Sequence, residues 1–248
     1  MSHPVDLLRG ALAAEPSRPL VTFYDDATGE RVELSVKTFD NWVAKTANLL
    51  LDGLAADPGA RVALALPVHW QTAAWLFACW SAGLTAIPVD EGEIPADADI
   101  VAAGPGRLEA ALAATGSGHA EVVGLSLHAL GAPLAECPPG VTDYAVEVRS
   151  YGDHFTGVTD ADAPAVEIGG EVMSGARLVA AGEALGLPPG TRTLTTVSYA
   201  TPEGLLSGLI GPLASQGSVI ICQNLEQSGL DRRISLERAT ALVTSPSL

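Results

Sequence analysis

The residues able to do chemistry in this chain are scattered rather than grouped. His3, His69, His119, His128 and His154 show no ligand spacing with one another, with a cysteine or with a carboxylate, so no metal site is expected. His69 opens a predicted core helix. Asp153, Asp160 and Asp162 share one stretch but lack the residue pattern of a calcium loop, and they read as a solvated acidic loop. Ser126 to His128 and Ser198-Tyr199 offer hydroxyls without a Gly-x-Ser-x-Gly elbow, so no catalytic residue is assigned. Cys79, Cys137 and Cys222 form no CxxC pair. Cys79 and Cys222 lie in apolar runs and read as small buried hydrophobes, whereas Cys137 precedes Pro138-Pro139 in a loop. This odd, unpaired set fits a reduced, cytoplasmic setting.

Anion binding needs backbone donors and a cation. Ala103-Gly-Pro-Gly106 and then Arg107 stand between a predicted strand and helix. A glycine-rich helix start can hold an anion. There is no G-x-G-x-x-G here, and Pro105 removes one donor, so a plain strand-to-helix turn is the reading. The net charge of −16 sets phosphate backbones and anionic lipid surfaces against the chain. Its densest basic spot, Arg232-Arg233, has Asp231 and Glu237 beside it, and its only lysines are Lys37 and Lys45. Neither nucleic acid nor a membrane is expected as a partner.

The elements around these residues alternate. With 48% hydrophobic and 17% charged residues, a substantial core is expected, built mainly from Ala, Leu, Val and Ile because aromatics make up only 5%. Residues 20–24 and 31–36 form a hairpin around the Asp25 to Gly29 turn. Ser35 then caps a helix with Phe39, Trp42, Val43, Ala47, Leu50 and Leu54 on one face. The apolar stretch 72–89 contains Ser81, Gly83 and Pro88, and divides into helix and strand rather than crossing a membrane. With the strand at 61–66 it makes a βαβ unit of a parallel sheet. The N-terminal 15 residues lack the apolar core of a signal peptide.

Further strands are expected at 100–103 and 121–125, and 144–149 alternates as a half-buried strand. The acidic, turn-rich stretch 152–164 separates two lobes. Beyond it, Ser174 caps one helix and Thr201-Pro202 opens another. The expected fold class is α/β, with mostly parallel β-sheets flanked by helices in two lobes, 1–150 and 151–248.

Three stretches give this pattern a likeness. The first is Gly59-Ala-Arg-Val-Ala-Leu-Ala-Leu-Pro67, followed by Trp70 to Phe77 and by Ala82-Gly-Leu-Thr-Ala-Ile-Pro-Val-Asp90. The second is Leu185-Gly-Leu-Pro-Pro-Gly-Thr-Arg-Thr-Leu194, and the third is Gly204-Leu-Leu-Ser-Gly-Leu-Ile-Gly-Pro-Leu-Ala-Ser-Gln-Gly217 with Ser-Val-Ile-Ile after it. In order and spacing they resemble the front part of the large domain of the adenylate-forming (AMP-binding, acyl-CoA synthetase-like) enzymes. The resemblance implies ATP, AMP and magnesium as cofactors and a carboxylic acid as substrate.

The phosphate loop of that family, rich in Ser, Thr and Gly and ending in lysine, should precede the helix at Ser174. Here Gly169, Gly170, Ser174 and Gly175 stand at that position, with no lysine and with Glu167 and Glu171 opposing phosphate. The nearest cation is Arg177. Residues 169–175 are expected to make a short turn with no room for a triphosphate and with Glu171 at the helix N-terminus. The family's later motifs have no counterpart before Leu248, so autonomous adenylate synthesis and bound cofactors are not expected. By the third match Thr201 falls where the family often carries a histidine or aromatic near its acyl pocket. Tyr199, Thr201, Glu203 and Gly204 are therefore the candidate ligand pocket, with helix capping by Thr201 as the bland alternative.

The expectation is a catalytically degenerate relative that binds a small carboxylic acid or a protein partner. One alternative is a residual acyl-adenylate or acyl-CoA ligase completed by another polypeptide. A second is a purely structural interaction module. A sheet edge left open after Pro246 predicts a homodimer.

Overall fold

A computed structural model describes residues 2–116, 120–157 and 159–244. His119 and Pro246 lie outside them, as does Leu248. In chain order, helix α1 (Pro4–Ala14) precedes strands β1 (Pro19–Asp25) and β2 (Glu30–Ser35), then helix α2 (Val36–Asn48) and a π-turn at Leu49–Gly53. Next come β3 (Arg61–Ala65), α3 (Trp70–Ser81), β4 (Thr85–Pro88), β5 (Ile100–Ala103), α4 (Leu108–Thr115) and β6 (Glu121–Gly124). They are followed by β7 (Val141–Asp143), α5 (Tyr144–Glu147), β8 (Pro164–Ile168), β9 (Glu171–Ser174), α6 (Gly175–Glu183) and β10 (Arg192–Thr195). The remainder comprises α7 (Pro202–Leu205), a π-turn at Leu206–Ile210, α8 (Gly211–Ala214), β11 (Ser218–Gln223), α9 (Leu230–Glu237) and β12 (Ala241–Val243).

Two sheets result. The seven-stranded one has the order β7-β6-β5-β3-β4-β8-β9, parallel except for the β8–β9 hairpin. The five-stranded one has the order β12-β10-β11-β1-β2, parallel except for the β1–β2 hairpin. The expected α/β class with mostly parallel sheets flanked by helices is what the chain adopts.

The sheets do not divide the chain at 150/151. Strand β1 pairs with β2 on one edge and with β11 on the other, and its Leu20, Val21 and Phe23 are buried. The N-terminal hairpin thereby completes the sheet of the C-terminal strands. Strands β8 and β9, expected in the second lobe, finish the sheet of the first by pairing with β4.

Helix α3 explains how the two sheets share one core. All its residues from Trp70 to Ser81 are buried, and it touches β1 of one sheet and β3 and β4 of the other. A helix that is apolar on every side must be covered on every side. Phe77 lies edge-on to Phe39 of α2 and to Trp80 of its own helix, and such edge-to-face pairs add to the area they bury.

Residues 144–149 form α5 and a 3-10 turn instead of a strand. Asp143 accepts hydrogen bonds from the backbone N–H of Ala145 and Val146, at 2.9 and 3.3 Å, and this cap outweighs the alternating pattern. Helix α2 starts where expected, its cap Ser35 accepting from Thr38 N at 3.1 Å.

Candidate functional site

The residues at the phosphate-loop position are a β-hairpin. Strands β8 and β9 pair antiparallel with Ile168 opposite Glu171, so only Gly169 and Gly170 turn the chain. Both have positive φ, 59° and 82°. A two-residue turn of this hand matches strand twist and strongly favours glycine. The turn is short, as predicted, but it joins two strands; Val172 and Met173 continue the sheet before the helix begins. The expected turn between strand and helix is thus a turn between two strands, for which a Gly-Gly pair is itself a signal.

Ser174 caps α6, its Oγ accepting from Arg177 N at 3.3 Å. Gly175 has a separate task. Its Cα lies against the buried His3 ring, and a Cβ there would collide with His3 Cδ2. The glycine thus lets α1 dock on α6.

Glu167 and Glu171 do not share a site. The pairing register puts them on opposite faces of the hairpin. Glu167 binds Arg61 of β3 at 2.7 Å, and Arg61 also meets Asp97 at 3.5 Å. The Glu167 carboxylate raises the Arg61 pKa further. Glu171 binds Arg177 at 2.6 Å, with both side chains largely in solvent. The expected role of Glu171 as an internal anion at the α6 N-terminus is therefore corrected: Arg177 draws it to an exposed ion pair. The nearest cation already holds a carboxylate.

The second candidate position, at 199–204, is tightly packed. Tyr199 is buried in the main core, and burial raises the pKa of its hydroxyl. That hydroxyl has no hydrogen-bond partner among the described residues. Thr201 is the N-cap of α7, with Oγ1 accepting from Gly204 N at 3.1 Å and donating to Ser198 O at 2.9 Å. Glu203 is exposed in the first turn, where the helix dipole favours an anion. Gly204 lies so close to the Ser198 carbonyl that a Cβ would overlap it. The four residues are brought together, around a cap and a close backbone approach.

His69 opens α3, as expected. Its Nδ1 accepts from Gln71 N at 3.1 Å, and the Phe23 ring stands edge-on at 4.2 Å between centroids. Complete burial pushes its pKa down to about 3, so the ring is neutral at pH 7. Cys79 and Cys222 are buried and Cys137 is exposed. Among the described residues, no three His, Cys, Asp or Glu side chains gather as a metal site, and no helix is long and apolar enough to cross a membrane.

One cluster escaped the reading of the sequence. Glu237 of α9 is nearly buried and meets Arg192 at 2.6 Å, Arg31 at 3.1 Å and the Tyr24 hydroxyl. Arg233 meets Asp26 at 2.6 and 3.0 Å. Arg233 of the expected basic spot is in this way paired with a carboxylate 207 residues away in the chain, which no local pattern reveals.

Comparison with known proteins agrees with this architecture. A family model described as "AMP-binding enzyme" matches residues 8–122. A Mycobacterium tuberculosis protein called "TIGR03089 family protein" is 44% identical over 240 residues, which is 96% of each chain. Among solved structures, an acyl-CoA synthetase from Brucella canis superposes with a TM-score of 0.80 at 17% identity, covering 99% of this chain and 47% of its own. The N-terminal domain of FACL13 from Mycobacterium tuberculosis gives 0.76 at 15% identity, over 98% of this chain and 62% of its own. ATP-bound MatB from Rhodopseudomonas palustris gives 0.76 at 16% identity, over 96% and 48%. This chain therefore spans about half the length of the full synthetase chains. It belongs to the TIGR03089 family and carries the fold of the front part of the adenylate-forming, AMP-binding enzymes.

Proposed function

We propose that this chain is a catalytically degenerate relative of the acyl-CoA synthetases that works by binding rather than by forming acyl-adenylates. One observation carries the reading. Where the resemblance places a phosphate loop, the chain has a two-residue Gly169-Gly170 hairpin turn, and the carboxylates flanking it are engaged by Arg61 and Arg177. A triphosphate needs several converging N–H donors and a free cation. A tight hairpin spends its N–H groups on the ladder and the turn. MatB, a neighbour in fold, is described with ATP bound; transfer of that property to this chain finds no support in these residues.

At 199–204 Tyr199 is buried and Gly204 lies against the Ser198 carbonyl, so these residues lend no support to a small carboxylic acid held there. ATP–pyrophosphate exchange by the purified chain across a broad panel of carboxylic acids tests the proposal. No exchange above background is expected. Robust exchange with any acid would overturn it.

A further inference from the structure

Strand β12 closes one edge of the five-stranded sheet, and helix α9 before it covers Leu194, Ile220 and Cys222. They do so with little apolar contact. From residue 231 to 244 not one residue is fully buried; Leu230 of α9 is, and Ile234 and Ala239 pack partly buried against the same row. Leu236 and Leu242 are 67% and 46% exposed. Adhesion proportional to buried apolar area is therefore weak across this segment.

Charge takes its place along α9, while β12 is held by its parallel ladder with β10. Glu237 of α9 binds Arg192 of β10 at 2.6 Å and Arg31 of β2 at 3.1 Å, while Arg192 Nε donates to the Glu237 carbonyl at 2.8 Å. Arg233 clamps Asp26, in the turn after β1, with bonds of 2.6 and 3.0 Å. Thr240 Oγ1 accepts from Arg192 N at 2.9 Å. Two ionic clamps, one at the middle of α9 and one at its C-terminal end, thus tie the helix to residues far away in the sequence. Such pairs add little net stability, but removal of one partner strands a desolvated charge. Attachment of this kind is specific and releasable.

We propose that residues 230–243 form a charge-latched strap that opens as a local unit, ahead of global unfolding, and lays bare the apolar row Leu194, Ile220 and Cys222. Local units of low apolar content open at lower free energy than the core. Glu237 and Asp26 are the latches.

Cys222 is the natural reporter, since it lies under the strap beside Arg233 and is 1% exposed, whereas Cys79 is buried in α3. The full chain carrying Cys137→Ser is labelled under native conditions with a thiol reagent, and each site is followed by mass spectrometry. Cys222 is expected to react at least about tenfold faster than Cys79. Glu237→Gln in the same background is expected to speed Cys222 on the order of a hundredfold and to leave Cys79 slow. Asp26→Asn releases the other clamp and repeats the test should the first variant unfold. Equal rates at the two cysteines in the Cys137→Ser chain would overturn the proposal. So would acceleration of both cysteines together in both variants, or a Cys222 rate indifferent to both.

Discussion

Arg61 of β3 reaches across β4 to Glu167 of β8, and their side chains meet at 2.7 Å. The glutamate that stands where the family's phosphate loop would begin is thus part of the sheet's own wiring. Glu167→Gln should lower stability by about 1 kcal/mol, because the pair is only partly shielded from water. Paired with Glu171→Gln it should leave ATP affinity undetectable, since removal of negative charge does not supply a cradle of N–H groups. Calorimetric titration with ATP and magnesium checks this. Tight binding by the double variant would mean that the site is blocked rather than lost, and the ligase reading would then take precedence.

Thr201 can be tested as a cap apart from any ligand. Its Oγ1 accepts from Gly204 N and donates to Ser198 O. Thr201→Ala should cost about 1 kcal/mol, and Thr201→Ser only a few tenths, because serine caps equally well. Urea denaturation of the three chains measures it. Equal stability of the alanine and serine forms would remove the cap from the account of this turn.

Much of the fold was legible in the sequence because its signals are local. Ser35, Ser174 and Thr201 are hydroxyls placed directly before helices, and each caps one. The run from Trp70 to Ser81 is apolar on nearly all sides and is buried on every side. The misreadings have local causes as well. The alternation at 144–149 yielded to the Asp143 cap, and the turn expected to lead from strand to helix at Gly169-Gly170 leads to a second strand instead. What could not be read is the long-range chemistry. Nothing near Glu237 foretells Arg192 and Arg31, and nothing near Gly175 foretells His3. The candidate pocket was legible as a location and not as a cavity, because whether Gly204 faces a ligand or the Ser198 carbonyl depends on the whole packed turn.

Two glycines in helices should respond to alanine in opposite directions. Gly204 of α7 has no space for a Cβ, and the obstructing atoms are backbone, which cannot rotate away. Gly204→Ala should cost about 2–4 kcal/mol through overpacking and a shifted turn. Gly10 sits mid-helix in α1, exposed and with nothing within 4 Å of its would-be Cβ. Gly10→Ala should add about 0.5–1 kcal/mol, from helix propensity and reduced freedom of the unfolded chain. Thermal melts of the two variants would show shifts of opposite sign.

His69 makes stability fall in mild acid. Its pKa is about 3 in the fold, through complete burial, against 6.5 unperturbed. A base whose pKa is depressed by folding binds its proton more tightly in the unfolded chain. Its contribution is therefore fully present above pH 6.5 and is lost as the pH falls from there toward about 3. Each bound proton is worth about 1.4 kcal/mol per pH unit, so this residue should account for about 1 kcal/mol of lost stability between pH 6 and 5. His3, also depressed by burial, adds in the same direction. His69→Asn keeps a side-chain acceptor at the N-cap, where asparagine is well suited, and removes the titration. Its stability at pH 7 should be lower, because the Phe23 ring loses its partner. Its slope between pH 6 and 5 should nevertheless be shallower than that of the parent chain by about 1 kcal/mol per unit. Urea unfolding at pH 7, 6 and 5 on both chains separates the two effects, since the packing loss is constant with pH and the proton linkage is not. Parallel slopes in the two chains would show that the His69 ring already takes up its proton within the folded state.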